Sequence, residues 1–247
     1  MLLTVCVNGA RTPEEHPALS ADPAVVAADA ACAVAAGAHD VHLHPQDADG
    51  RDSLRGEDVA RWLAAFRAAV PGVALSVTTG QWAAGAAEER LSAVEAWTVL
   101  PDLATVNWHE EGAEELAALL LSRGVGVEAG LWTPEAAREW TRSPLAPSCR
   151  RALVEVPDLP AGRIRAAAQA IVAELDGVAP HLPLQLHGEE RSTWSAVLLA
   201  LEIGADTRIG LEDTLTCADG TVAASNTELV RRCRDFLGLE EQGEDRR

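Results

Sequence analysis

Short apolar runs alternate with longer, helically spaced segments from one end of this chain to the other, and that alternation limits its possible folds more than any other feature. The apolar runs at residues 2–7, 40–44, 73–78, 103–107, 126–129, 152–156, 184–186 and 207–211 read as strands. Helical patterns follow them at residues 23–36, 57–70, 84–96, 112–122, 134–141, 162–175, 193–202 and 223–237. The pattern in 57–70 puts Val59, Trp62, Leu63 and Phe66 on one face, and Pro71-Gly72 ends it. About eight strand–helix units in roughly 250 residues is the expected size of a (β/α)8 TIM barrel, and an open doubly wound sheet has fewer units. The predicted fold is therefore a single α/β barrel domain over residues 1–239, with a charged tail at 240–247.

Composition removes several chemistries. All 20 basic residues are arginine, and tyrosine is absent. Without a lysine amine, a Schiff-base aldolase and a Walker-type phosphate loop are both closed. A formal net charge of -18 argues against a nucleic-acid partner, which needs a basic footprint. No apolar run is long enough for a membrane span, and the N-terminus lacks a signal-peptide pattern. The five cysteines are scattered without CxxC pairs, which reads as reduced thiols and a cytoplasmic protein.

In a parallel barrel, chemistry sits where strands end and the following loops begin. Polar residues gather there: Asn8 after the first strand, His42 and His44 at the second, and Thr78, Thr79 and Gly80 at the third. Asn107, Glu128 and His187 follow at the fourth, fifth and seventh strands, and Arg208, Glu212 and Asp213 at the eighth. Residues two apart on a strand face the same side, so His42 and His44 can converge on one point. Two imidazoles and a carboxylate make a borderline-soft divalent site. In a closed barrel the eighth strand lies one strand from the second, so Glu212 can supply that carboxylate. Spacing alone leaves a second reading, two histidines hydrogen-bonded in a polar barrel mouth. Arg208 and Glu212 share strand parity, whereas Asp213 shares it only if the chain turns. Trp82, Trp108 and Trp132 follow three successive strands and can wall a pocket or pack under loops.

The motifs Asn8-Gly9-Ala10, His42-Leu43-His44, Thr78-Thr79-Gly80, Arg208-x-Gly210-Leu211-Glu212-Asp213 and Ala224-Ser225-Asn226-x-Glu228-Leu229-Val230 resemble, in order, those of the beta-keto acid cleavage enzymes. The founding activity of that family is 3-keto-5-aminohexanoate cleavage. The resemblance implies a TIM barrel with Zn2+ held by His42, His44 and Glu212. It implies a reaction of a beta-keto acid with acetyl-CoA as co-substrate, giving acetoacetate and a new acyl-CoA. Thr78 and Thr105 would hold the substrate, with Thr79, Gly80, Asn107, Asn8, Arg11, Trp82 and Trp108 around it. Asp213 and Arg208 would serve proton transfer and charge stabilisation, with Glu128 as a third catalytic residue. A homo-oligomer is expected.

The chain departs from the family pattern in the residues that choose a substrate. Arg11 stands where amine-binding members carry glutamate, and His187-Gly188-Glu189-Glu190-Arg191 replaces a Gly-x-Gly loop. An unpaired Arg11 in the pocket would repel an ammonium-bearing keto acid and favour an anionic or hydroxyl-bearing one. Two other functions stay open from sequence: a metal-dependent hydrolase or aldolase on the same barrel, including a two-histidine, one-carboxylate Fe(II) site, and a catalytically idle paralogue that binds a small acid.

Overall fold

A computed structural model describes residues 1–175 and 182–239. Its eight strands are β1 (Leu3–Cys6), β2 (Asp40–Leu43), β3 (Ala74–Thr78), β4 (Leu103–Asn107), β5 (Gly126–Leu131), β6 (Arg151–Val156), β7 (Leu184–Gly188) and β8 (Thr207–Ile209). The helices that follow them are α1 (Pro23–Ala35), α2 (Gly56–Ala69), α3 (Ala87–Glu95), α4 (Ala113–Ser122), α5 (Pro134–Arg142), α6 (Ala161–Ala173), α7 (Thr193–Ile203) and α8 (Asn226–Phe236). All pairings are parallel, in the order β7-β6-β5-β4-β3-β2-β1-β8. The ring is drawn together between β7 and β8 by a parallel bridge of Gln185 with Asp206, where Leu186 N donates to Asp206 O at 2.9 Å. The molecule is a TIM barrel. The tail at 240–247 lies outside the described residues.

Local chemistry sets the helix starts. Asp22 accepts from Ala24 N ahead of Pro23, and Thr133 accepts from Ala136 N ahead of Pro134. Helix α8 begins at Asn226 rather than at 223 because the Ser225 side chain caps it by accepting from Glu228 N. The third helix also starts later than its pattern suggests, since residues 81–83 form a separate short turn after β3.

The pleat of the strands sorts their residues. Val5, Val41, Leu43, Leu75, Val77, Ala104, Val106, Val127 and Ala129 join one apolar core with Val59, Trp62, Leu63 and Phe66 of α2. The alternate positions point into the barrel, whose interior is polar. Arg151 of β6 crosses it to reach Asp40 of β2 at 2.6 Å and Glu128 of β5 at 2.6 Å. Gln185 of β7 donates to Thr4 of β1 at 2.8 Å. Removing one member of such a buried ionic set costs on the order of 3–5 kcal/mol, because it strands the others.

Candidate active site

A cavity of about 280 Å³ opens at the C-terminal ends of the strands. His42 and His44 reach it from β2 with the same facing, and their Nε2 atoms lie 3.8 and 3.6 Å from Glu212 Oε1. The three side chains offer ligand atoms within 4.8 Å of one another.

Glu212 does not arrive by strand parity, because β8 ends at Ile209. The chain turns at Gly210, whose carbonyl accepts from both Asp213 N (2.9 Å) and Thr214 N (3.0 Å). A side chain on residue 210 would place its Cβ 1.9 Å from Cys6 O, so only glycine lets this turn pack on β1. The turn brings Glu212 and Asp213 to the same arginine: Arg208 Nη2 lies 2.8 Å from Glu212 Oε1 and 3.3 Å from Asp213 Oδ1. The parity objection to Asp213 falls for that reason.

Each imidazole is oriented from behind. Ser76 donates its hydroxyl hydrogen to Glu128, so its oxygen accepts from His42 Nδ1 at 3.0 Å. His44 Nδ1 faces the Asp52 carboxylate at 2.6 Å. Both arrangements turn Nε2 toward Glu212, as partners behind metal-ligating histidines do. Burial pushes His42 down to about 4, which keeps it neutral. Burial opposes charge on His44 too, but Asp52 and Glu212 outweigh it and push that ring up to about 10. Glu212 is also buried, yet Arg208 and the two histidines hold its carboxyl well below the usual range. Its Oε2 has no hydrogen-bond partner among the described residues. This donor set fits a divalent cation: two imidazole nitrogens and a carboxylate oxygen that no hydrogen bond occupies. Cys6 also approaches Glu212 and Asp213, but burial raises its thiol well above the ordinary range, away from the thiolate a metal needs.

Thr78, Thr105 and Asn107 line the opposite wall. Asn107 is held by Glu110, which accepts from its Nδ2 at 2.9 Å and is itself paired with buried Arg90. Trp82 stacks on His44 with ring centroids 6.1 Å apart and donates to Asp52 at 3.0 Å. Trp132 donates to Asn107 Oδ1 at 3.2 Å.

Several predicted residues stand elsewhere. Trp108 follows inward-facing Asn107, so the pleat turns it outward into the apolar core, and Trp132 is the second indole of the cavity. Thr79 likewise faces away from its neighbour Thr78 and donates to Thr105 O at 2.5 Å, and Gly80 lies against the Trp82 ring. Asn8 exchanges two hydrogen bonds with the His44 backbone (2.8 and 3.0 Å), so it locks that residue from behind. Glu128 does not line the cavity; it sits in the barrel interior, between Ser76 and Arg151, and bears on the site through Ser76, which backs His42, and through the Thr105 hydroxyl, which donates to it at 3.4 Å.

Arg11 does line the cavity, but its guanidinium is already engaged by Glu190, by Glu15 at 3.5 Å and by the Glu212 carbonyl at 3.1 Å. The expected repulsion of an ammonium group assumed an unpaired arginine, and these partners remove its basis. Glu190 is the one described non-glycine residue with a positive φ (47°), and its backbone N–H donates to Asp213 O at 2.7 Å. Sequence reasoning missed Asp52, Ser76, Glu155 and Glu189. Glu155 carried a signal, as an acid inside an otherwise apolar strand; Asp52, in a polar loop, carried none.

The model of the family described as "BKACE: beta-keto acid cleavage enzyme" matches residues 1–143 and 151–241. The chain belongs to the beta-keto acid cleavage enzyme family. One relative is the 3-keto-5-aminohexanoate cleavage enzyme of Fusobacterium nucleatum subsp. nucleatum, 25% identical over 250 residues that cover 94% of this chain and 89% of that protein. Among solved structures, ObcA bound to oxaloacetate is similar with a TM-score of 0.69 at 17% identity, over 89% of this chain. The match covers 63% of the ObcA chain, less than two thirds of its length. A type I 3-dehydroquinate dehydratase from Clostridium difficile matches with a TM-score of 0.63 at 13% identity, covering 96% of this chain and 93% of its own. At these identities both likenesses speak to the barrel alone.

Proposed function

We propose that this enzyme exchanges acyl groups between a beta-keto acid and acetyl-CoA, with a zinc ion held by His42, His44 and Glu212. The observation that carries the reading is the convergence of both Nε2 atoms on Glu212 Oε1 inside a cavity also lined by Thr78, Thr105 and Asn107. Family membership supports the keto acid. ObcA, in a ternary complex with a C4-CoA adduct and oxalate, is a barrel neighbour that supports the thioester.

The exchange balances without an oxidant or reductant: R–CO–CH2–COO⁻ and acetyl-CoA give acetoacetate and R–CO–S–CoA. When bound, the metal supplies Lewis-acid polarisation of a keto oxygen. The Thr78 hydroxyl and the second Nδ2 hydrogen of Asn107 offer hydrogen bonds to the substrate carboxylate, Thr105 shapes the wall beside them with its hydroxyl turned to Glu128, and the Trp82 and Trp132 indoles narrow the cavity around it. Asp213 is assigned proton removal at the carbon between the two carbonyls. Arg208, fixed between Glu212, Asp213 and Glu155, stabilises the negative charge that follows.

The direct test is to incubate the zinc-loaded protein with acetyl-CoA and a panel of beta-keto acids bearing alkyl, hydroxyl, carboxylate and ammonium ends, reading acetoacetate and acyl-CoA together. Formation of both in equal amounts from at least one keto acid is expected. Tight binding of the panel with no acyl-CoA from any member would defeat this function and favour an idle binding protein.

A further inference from the structure

The acyl exchange just described, on which this inference rests, moves a proton twice. One leaves the central carbon of the incoming beta-keto acid, and one must reach the same carbon of the departing acetoacetate. Asp213 and Arg208 occupy one side of the cavity. Strands β6 and β7 bring a second proton-bearing set to it.

Glu155 of β6 lines the cavity. Its Oε2 lies 3.2 Å from His187 Nε2 and 4.0 Å from Arg208 Nη2. Its Oε1 is buried and has no hydrogen-bond partner among the described residues. The neighbouring strand leaves room for it: a Cβ on Gly130 would stand 2.6 Å from Glu155 Oε1 and 2.5 Å from Asn107 Oδ1. His187 is fully buried, and its other nitrogen, Nδ1, is 3.2 Å from Asp213 Oδ1, off the hydrogen-bonding direction. One imidazole therefore bridges the carboxylate beside the metal triad and the carboxylate in the cavity wall. The charged groups acting on this pair are Arg208 from β8, Asp213 beyond it, Glu189 from the loop after β7 and His109 from the loop after β4. Burial and Arg208 disfavour an imidazolium here, but Asp213 and Glu155 outweigh them and hold His187 up to about 9.

We propose that Glu155 is a second proton-transfer residue of this enzyme and that His187 is the positioning residue that holds it toward the cavity. Asp213 takes the proton from the keto acid, and the electron pair left on that carbon forms the new bond to the acetyl carbonyl carbon. The CoA thiolate expelled as that bond forms adds to the R carbonyl carbon, the old carbon–carbon bond breaks to release R–CO–S–CoA, and the pair remaining on acetoacetate takes a proton from Glu155. Asp213 gives up its proton and Glu155 regains one by exchange with water when the product leaves the cavity, so both carboxyl groups end as they began, with His187 Nε2 holding Glu155 in place throughout.

Exchange of the central-carbon hydrogens of acetoacetate in D2O, followed by NMR, tests this without CoA. The zinc-loaded wild type should accelerate exchange over buffer. Glu155→Gln should slow it by about 10²-fold, the scale of a lost acid–base group, while zinc content, melting temperature and acetoacetate affinity stay at wild-type values. Glu155→Asp should recover part of the rate. The wild-type rate should fall as pH rises through about 9, and that limb should vanish in His187→Gln. Wild-type exchange in Glu155→Gln, or the same alkaline limb in His187→Gln, overturns the proposal; if Glu155→Gln does not fold, Glu155→Asp at full rate with an unchanged limb overturns it equally. Enzyme-catalysed exchange that needs Glu155, in a protein that makes no acyl-CoA, would support this inference and defeat the function proposed above. Full acyl transfer by Glu155→Gln would do the reverse.

Discussion

The barrel mouth has two corners built on different principles. At the corner of β1, β2 and β8, every donor is held from behind: Ser76 on His42, Asp52 on His44, and Arg208 on Glu212. At the corner of β6 and β7, polar atoms are brought close but left with spare capacity. Glu155 Oε1 has no hydrogen-bond partner among the described residues, and burial beside Glu155 and Asp213 pushes Glu189 up to about 7 against the pull of His187 and Arg208. Side chains fixed by partners behind them suit a group that must hold an ion at fixed geometry. An underused acceptor beside a carboxyl, that of Glu189, poised near neutrality suits groups that must gain and lose protons. On the function proposed above, the difference would divide metal holding from proton handling within one cavity.

That division can be broken by mutation. The largest effect is expected at the first corner: His42→Ala, His44→Ala and Glu212→Gln should each leave the purified protein without zinc, measured by elemental analysis. Full metal in both histidine variants would end the assignment. Next, Asp213→Asn should keep its zinc and lose about 10²-fold or more in turnover. Arg208→Ala should lose turnover similarly and also lower the melting temperature, because Glu212, Asp213 and Glu155 are left without their shared cation. A near-normal rate for Asp213→Asn would move proton removal to another residue.

A smaller effect separates the corners more sharply. Asp52→Asn and Ser76→Ala should weaken zinc binding by about 10–100-fold, the range for partners behind metal ligands, whereas Glu155→Gln should leave it unchanged in a competition titration with a chelator. If Glu155→Gln weakens zinc as much as Asp52→Asn does, the two corners are one unit.

The mildest prediction concerns stability alone. His187 is raised from 6.5 to about 9, so its imidazolium stabilises the fold fully below about pH 6.5 and that contribution is lost as pH rises through about 9. Denaturant unfolding at pH 6, 8 and 10 should show the wild type's advantage over His187→Gln shrinking toward the alkaline end. A constant or growing difference would mean that His187 is neutral in the folded protein.

Much of this molecule could be read before folding. The alternation of apolar runs and helical patterns placed all eight strands within a few residues of their observed limits, because a strand buried on both faces and an amphipathic helix leave different periods. The period of two put His42 and His44 on one side and Thr78 with the cavity. Pro71-Gly72 marked the end of the second helix, which stops at Ala69. Periodicity also carried the information that Trp108, one step from Asn107, would face outward, although its place after a strand had suggested a pocket wall.

What sequence could not decide is which residues meet across elements that are not neighbours in the chain. Glu212 meets His42 only because β8 pairs with β1 and the chain turns at Gly210, a turn whose tightness is set by the Cys6 carbonyl more than two hundred positions earlier. Arg11 is neutralised by Glu190, which only the closed ring brings to it. Glu155, His187 and Asp213 come from β6, β7 and the loop after β8, and no local pattern links them. Local periodicity sets the side to which a residue points, since it depends on backbone dihedrals alone. Distances between pointing groups depend on how the sheet curls and closes, and that is decided by the packing of the whole barrel.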